Sequence, residues 1–247
     1  MVSTTMALKT VIRGEKRPTA RLVGLRLRHW AKSVTVAFVV FLLIRATVVE
    51  AFRIPTASME GTLLVGDFLL VNKGVYGFRF PGMDITFSGF ATPKRGDVIV
   101  FRAPHQPEKN YVKRVVGVPG DTLEMRGKSL FRNGAPVSEP YARHMDRNQD
   151  AAHPAMEWQS SHRITSEKEE YQPTRDNWGP IVVPKESYFV LGDNRNISED
   201  SRYWGFVSRN DIRGRPWLVY YSSEPRGDQS SRWHSRMRWD RIGMVIR

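Results

Sequence analysis

Cysteine is absent from the 247 residues. This excludes thiol catalysis, disulfide cross-links and cysteine-rich zinc sites, and leaves the redox compartment unread. Acidic residues are few beside basic ones, 25 Asp and Glu against 38 Lys and Arg, giving a net charge of +13. Such an excess points to an anionic membrane surface or nucleic acid before an acidic small substrate. No Gly-x-Ser-x-Gly elbow surrounds Ser58, and no obvious His and Asp partners lie near it, so a Ser-His-Asp triad is not signalled. An uninterrupted apolar run of membrane-spanning length is also missing. The strongest, "VTVAFVVFLLI" (Val34 to Ile44), has 11 residues where a span needs about 20.

What is present begins with a basic block. Before residue 33 there are eight Lys and Arg against one acid, Glu15. Extending the apolar run to Trp30–Val49 reaches a spanning length but takes in Lys32 and Arg45, each near an end and able to snorkel. The pattern predicts a basic cytoplasmic segment over 1–29, one transmembrane anchor over 30–51 and an extracytoplasmic domain over 52–247. A cleavable signal peptide ending near "VEA" (Val49 to Ala51) and a buried core helix are the competing readings.

Beyond the anchor, short β-rich stretches alternate with turns. "GDFLLVNK" (Gly66 to Lys73), "RGDVIVFRA" (Arg95 to Ala103), "NYVKRVVGVPGD" (Asn110 to Asp121), "ESYFVLGDNR" (Glu186 to Arg195) and "RPWLVYYS" (Arg215 to Ser222) read as strands. In "KSLFRNGAPV", Asn133–Gly134 is a hairpin signal. The fold class expected is mainly β, an antiparallel sheet domain preceded by one N-terminal helix. Residues 138–182 lack a period and are poor in apolar side chains, so they read as a polar insertion, partly loop. Their His144, His153 and His162 read as surface histidines, with no metal site. "SRWHSRMRWDRIG" (Ser231 to Gly243) interleaves arginine with tryptophan. It suits a sheet edge or lipid interface better than nucleic acid once an anchor is allowed.

Three stretches carry candidate chemistry. In "FRIPTASMEGTL" (Phe52 to Leu63), Thr56 and Ser58 are two apart, so an extended strand would aim both hydroxyls at one place. In "YVKRVV", Lys113 shares a strand face with Tyr111 and Val115, and Arg114 faces the other way. Held among apolar groups, Lys113 favours its neutral form and could take a proton from Ser58. Snorkelling from an edge strand is the alternative. "GDNRNISEDSRYWGF" (Gly192 to Phe206) follows an apolar strand and can present Ser198 to an amine, with an Asp200–Arg202 pair bracing the loop. A solvated turn is the alternative there.

In their order and spacing these motifs resemble type I signal peptidase, the bacterial leader peptidase family. "FRIPTASMEGTL" resembles its nucleophile box and "YVKRVVGVPGD" its general-base box. "GDFLLVNKGVYG" and "RGDVIVF" resemble its intervening strands, "GDNRNISEDSRYWGFV" its supporting loop, and "RIG" its C-terminal box. The similarity runs from about residue 34 to the C terminus, leaving out the insertion.

The resemblance implies a membrane-bound serine endopeptidase of the bacterial inner membrane, single-pass with its N terminus cytoplasmic. It would remove signal peptides from exported preproteins after small residues at −1 and −3. Ser58 would be the nucleophile and Lys113 the general base. Thr56 and the Ser58 N–H would form the oxyanion site. Ser198 would hydrogen-bond Lys113, with Asp200 and Arg202 in support. Phe52, Ile54, Met59, Leu63, Val100 and Val112 would line the substrate pockets. No cofactor is implied. Preproteins and membrane lipid are the expected partners, nucleic acid is not, and the oligomeric state is left open. A specialised relative with one substrate, or an inactive binding protein of the same fold, are the alternatives. Two departures stand out: Gly61 replaces the family's proline, and "RNIS" replaces Arg-Asp-Asn-Ser, bringing in Ile197.

Overall fold

A computed structural model describes residues 20–47, 49–79, 86–145, 151–164, 171–224 and 237–247. The first part of the basic segment, residues 1–19, and Trp233 lie outside these residues. The chain divides into two units, residues 1–44 and 45–247.

Helix α1 (Ala20–Thr47) begins in the first unit; its Leu, Ala and Arg favour a helix, its Val, Thr, Ile and Phe less so, and no Pro or Gly interrupts it after Gly24. Its side chains from 26 to 41 are exposed, including Val34, Val36, Phe38, Val39, Val40 and Phe41. The helix differs from the expected 30–51 span in its limits. It starts at Ala20 and ends at Thr47, and residues 49–51 lie in a β-strand instead. Among the described residues no helix is long and apolar enough to cross a membrane.

The second unit is a mainly antiparallel β-structure. In chain order its strands are β1 (Val49–Arg53), β2 (Asp67–Asn72), β3 (Gly77–Arg79), β4 (Thr86–Ser88), β5 (Val98–Ala103), β6 (Gln106–Gly117), β7 (Thr122–Arg126), β8 (Ser129–Arg132), β9 (Ala135–Pro136), β10 (Trp178–Val182), β11 (Ser187–Leu191), β12 (Val207–Ser208) and β13 (Ile212–Ser222). A seven-stranded sheet runs in the order β1-β2-β13-β5-β6-β11-β12, a second sheet is β10-β7-β8-β9, and β3 pairs with β4. One short helix, α2 (Ser201–Trp204), follows β11.

Burial follows sequence pattern. β2 alternates, with Asp67, Leu69 and Val71 inward, as a strand with one covered face should. β5 is a near-continuous apolar run and is buried on both faces at Val98, Ile99, Val100 and Phe101. The Asn133–Gly134 signal is realised between β8 and β9, where both residues take positive φ, 53° and 78°. That is the twist of a tight two-residue hairpin.

Residues 138–182 form more structure than the sequence suggested. A 3-10 helix covers Pro154–His162 and β10 closes the segment. Met156, Trp178 and Ile181 enter the cluster formed with Val116, Leu123, Met125, Leu130, Phe189 and Leu191. No period was visible because a 3-10 turn repeats every three residues and its inward positions here include a polar group, Gln159. His144 and His153 are exposed and His162 is half-buried, in keeping with surface histidines; His153 meets Tyr203 edge-on, and His162 sits against Trp158 and Phe206.

Candidate functional site

Pro55 fixes the exit from β1, and Thr56 keeps extended backbone (φ −129°, ψ 156°) before a 3-10 turn over Ala57–Met59. The turn, not strand alternation, brings Thr56 Oγ1 to 3.4 Å from Ser58 Oγ. Ser58 is buried while Thr56 is exposed. Beneath the turn, Ile54, Met59, Leu63 and Val100 join Leu69, Val71, Val98, Val219 and Ile246 in a closed apolar cluster. This corrects the expectation that all six apolar candidates line a pocket. Those four fill the floor, and only Phe52 and Val112 are partly buried at its margin.

Lys113 reaches Ser58 from β6. Its Nζ donates to Ser58 Oγ at 2.6 Å, across 55 residues of sequence. The side chain is 3% exposed, so the snorkelling alternative does not hold. Burial pushes the amine down to about 8, while Asp200 draws it partly back up and Arg202 opposes Asp200. Burial dominates because, among the described residues, no carboxylate hydrogen-bonds the ammonium to offset its lost hydration. An amine so placed can accept a proton from the serine hydroxyl near neutral pH.

The loop after β11 closes the site. Asp200 and Arg202 are both fully enclosed. Arg202 Nε and Nη2 donate to the two Asp200 oxygens at 2.8 Å each. Burial alone raises the Asp200 carboxyl, but Arg202, with the Gly192 N–H and Lys113 beside it, holds the group below the ordinary carboxylate range. Asp200 Oδ2 also accepts the Gly192 N–H at 3.0 Å, and Arg202 Nη2 donates to the carbonyls of Arg195 and Ser198. Ser198 does not make the bond to Lys113 that the resemblance implied. Its buried Oγ has no hydrogen-bond partner among the described residues and instead lies against Gly192, where a Cβ would stand 2.2 Å away.

Other groups were not foreseen. Arg114, on the strand face opposite Lys113, places Nε and Nη2 on Asp193 at 2.8 and 2.7 Å. Thr62 accepts from the same guanidinium and donates to Asp193. Arg195 is buried and forms a two-pronged pair with Glu139 at 2.7 Å. The alternation that put Arg114 across from Lys113, followed by the Gly-Asp-Asn-Arg run after β11, was the available signal. The segment 141–145 lies over the site: Arg143 N–H donates to the Asp193 carbonyl, and Arg195 N–H to that of Arg143.

This segment also accounts for Gly61. Its φ is +117°, and a Cβ would come within 3.0 Å of Arg143 Nε and 3.1 Å of the Tyr141 carbonyl. Proline cannot adopt that φ. Ile197 is largely exposed, so the second departure leaves packing around Ser198 untouched. Among the described residues no three His, Asp or Glu gather as a metal site.

The family described as "Signal peptidase, peptidase S26" matches residues 27–221. The signal peptidase I of Pseudomonas aeruginosa is 39% identical over 208 residues, covering 78% of this chain and 72% of that protein. Signal peptidase I P of Bacillus subtilis subsp. natto is 36% identical over 194 residues, covering 78% of this chain and 88% of that one. The signal peptidase I of Aquifex aeolicus is 32% identical over 216 residues, covering 74% and 80%.

Proposed function

Because the chain belongs to the signal peptidase family, peptidase S26, and is thus a peptide-bond hydrolase, we propose that it removes signal peptides from exported preproteins with Ser58 as nucleophile and Lys113 as general base. The observation that carries this reading is the 2.6 Å contact between a serine hydroxyl and a buried amine.

In the proposed reaction, neutral Lys113 takes the Ser58 proton as Oγ attacks the carbonyl carbon of the scissile bond. The developing oxyanion is met by Thr56 Oγ1 and the Ser58 N–H. The ammonium of Lys113 then passes its proton to the leaving nitrogen, the C–N bond breaks, and the mature chain departs with a new N terminus. Lys113, neutral again, removes a proton from water as it attacks the acyl ester. The proton returns to Ser58 Oγ as the ester opens, and the signal peptide leaves as a carboxylate. Phe52 and Val112 are the apolar side chains left to contact the substrate. Their shallow margin suits small groups at −1 and −3.

The same reading puts α1 at the inner membrane, with the basic block on the cytoplasmic side and residues 52–247 outside. Support comes from the exposed apolar stretch between Val34 and Phe41 and the snorkelling capacity of Lys32 and Arg45. Holding enzyme and preprotein on one surface raises their effective concentration.

The test is incubation of the full chain with a preprotein, followed by sequencing of the new N terminus. Cleavage after a small residue is expected, and its loss in both Ser58→Ala and Lys113→Ala. A Lys113→Ala protein cleaving at the wild-type rate would overturn the assignment. Membrane placement is checked by alkaline washing of cell membranes, which should leave the full chain in the pellet and release a 52–247 fragment.

A further inference from the structure

The insertion reaches the site through one buried amide. Gln159 is fully enclosed although it lies in the 3-10 helix over Pro154–His162. Its Nε2 donates to the Arg202 carbonyl at 2.9 Å, and its Oε1 accepts from Tyr171 OH at 2.7 Å. Tyr171 OH in turn accepts the Gly179 N–H of β10 at 2.8 Å. The neighbouring Trp158 Nε1 donates to the same Arg202 carbonyl at 3.1 Å. A relay therefore runs from the second sheet to the backbone of α2.

Arg202 stands where the relay meets the loop. Its carbonyl is held by the insertion, while its guanidinium holds Asp200 and the carbonyls of Arg195 and Ser198. Asp200 fixes the Gly192 N–H. Both lone pairs of the Arg202 carbonyl are thus engaged by donors from outside its own loop. A buried amide serves both ends of this relay, since an apolar side chain of similar size would leave the Tyr171 hydroxyl and the Arg202 carbonyl each short of a hydrogen bond.

We propose that Gln159 is a positioning residue for the reaction: through the Arg202 carbonyl it sets the loop that walls Lys113 and Ser58. The inference rests on the peptidase reading of that site. Besides burial, the charged groups acting on Lys113 are Asp200, Arg202, Glu199 and Asp193, all carried by that loop, and Lys113 Nζ donates to Ser58 Oγ. Loosening the loop admits water to Nζ. Because burial is the largest influence on the amine, hydration moves its titration upward.

The experiment compares full-length wild type, Gln159→Leu, Trp158→Phe and the double variant. Preprotein cleavage gives kcat, KM and the acid limb of the pH–rate profile, and side-chain NMR follows the Lys113 titration directly. For Gln159→Leu, a fall in kcat of about tenfold is expected, with KM nearly unchanged and the Lys113 midpoint moved to higher pH. Trp158→Phe should act in the same direction more weakly, and the double variant more strongly. A lower Tm with wild-type kcat and an unmoved midpoint would overturn the proposal, as would a fall in kcat without any shift. If the wild type cleaves no preprotein, the peptidase reading falls. The NMR midpoint then still decides the brace: a shift in Gln159→Leu supports it, and no shift refutes it.

Discussion

The Ser58 carbonyl accepts the backbone N–H of Asn194 at 3.0 Å, so the serine turn and the loop after β11 are joined main chain to main chain. Gly192 sits in the angle between them. A Cβ there would stand 2.5 Å from the Ser58 carbonyl oxygen as well as 2.2 Å from Ser198 Oγ. Gly192→Ala should therefore destabilise the protein by about 1–3 kcal/mol and lower kcat more than it changes KM. Urea unfolding and steady-state cleavage measure the two effects. Wild-type values in both would show that the loop yields freely.

The buried amine sets a pH dependence with a definite sign. In the proposed reaction Lys113 acts as a neutral base, so kcat/KM should rise towards a midpoint near 8 and fall about tenfold per unit below it. Stability runs with it. The folded lysine titrates below the unfolded one, so between the two values the unfolded chain binds more protons and stability rises with pH. Below about 8 the full penalty applies. Lys113→Met should remove it, gaining up to about 3 kcal/mol at pH 7 with the gain shrinking as pH climbs towards 10, while cleavage falls by about 10²- to 10⁴-fold. Chemical denaturation at several pH values reads the crossing.

Asp200 and Arg202 test how enclosed charge is maintained. Arg202→Met leaves Asp200 without its counter-ion in a fully buried place, which should cost about 3–5 kcal/mol. The loss should be greatest at neutral pH and smaller in acid, where Asp200 takes up a proton. A thermal melt showing equal loss at pH 4 and 7 would contradict this.

Gly61→Pro introduces the proline that the family resemblance implies at this position. In this chain it should be harmful, destabilising by more than about 1 kcal/mol, because the native φ is +117°. A variant in which Arg143 is shortened as well, Gly61→Pro with Arg143→Ala, should recover little, since the backbone conflict remains. Differential scanning calorimetry of both proteins distinguishes a side-chain conflict from a backbone one.

Much of this was legible in the residues. Alternation along β6 placed Lys113 and Arg114 on opposite faces, and an amine among apolar neighbours announced its own desolvation. Spacing predicts that the Thr56 and Ser58 hydroxyls converge, and they do, through a 3-10 turn and not through strand alternation. Partners distant in sequence were not legible. Nothing near Arg114 names Asp193, and nothing near Arg195 names Glu139. Ser198 shows the reverse limit, as a motif match supplied a partner that the packing against Gly192 does not provide. Gln159 was invisible because a polar residue in a polar stretch gives no sign of burial, and its value lies in two hydrogen bonds made by neighbours elsewhere.

The strand order has a consequence for how the molecule comes into being. β13, the last of the described strands in chain order, is inserted third in the seven-stranded sheet, with β2 on one flank and β5 on the other. Until it arrives, the growing chain holds two half-sheets with bare edges. Ser58 belongs to one half and Lys113 to the other. A nascent chain that ends before β13 therefore lacks the strand that spans the two halves within the sheet, leaving contacts such as the Asn194 N–H to the Ser58 carbonyl to hold them together.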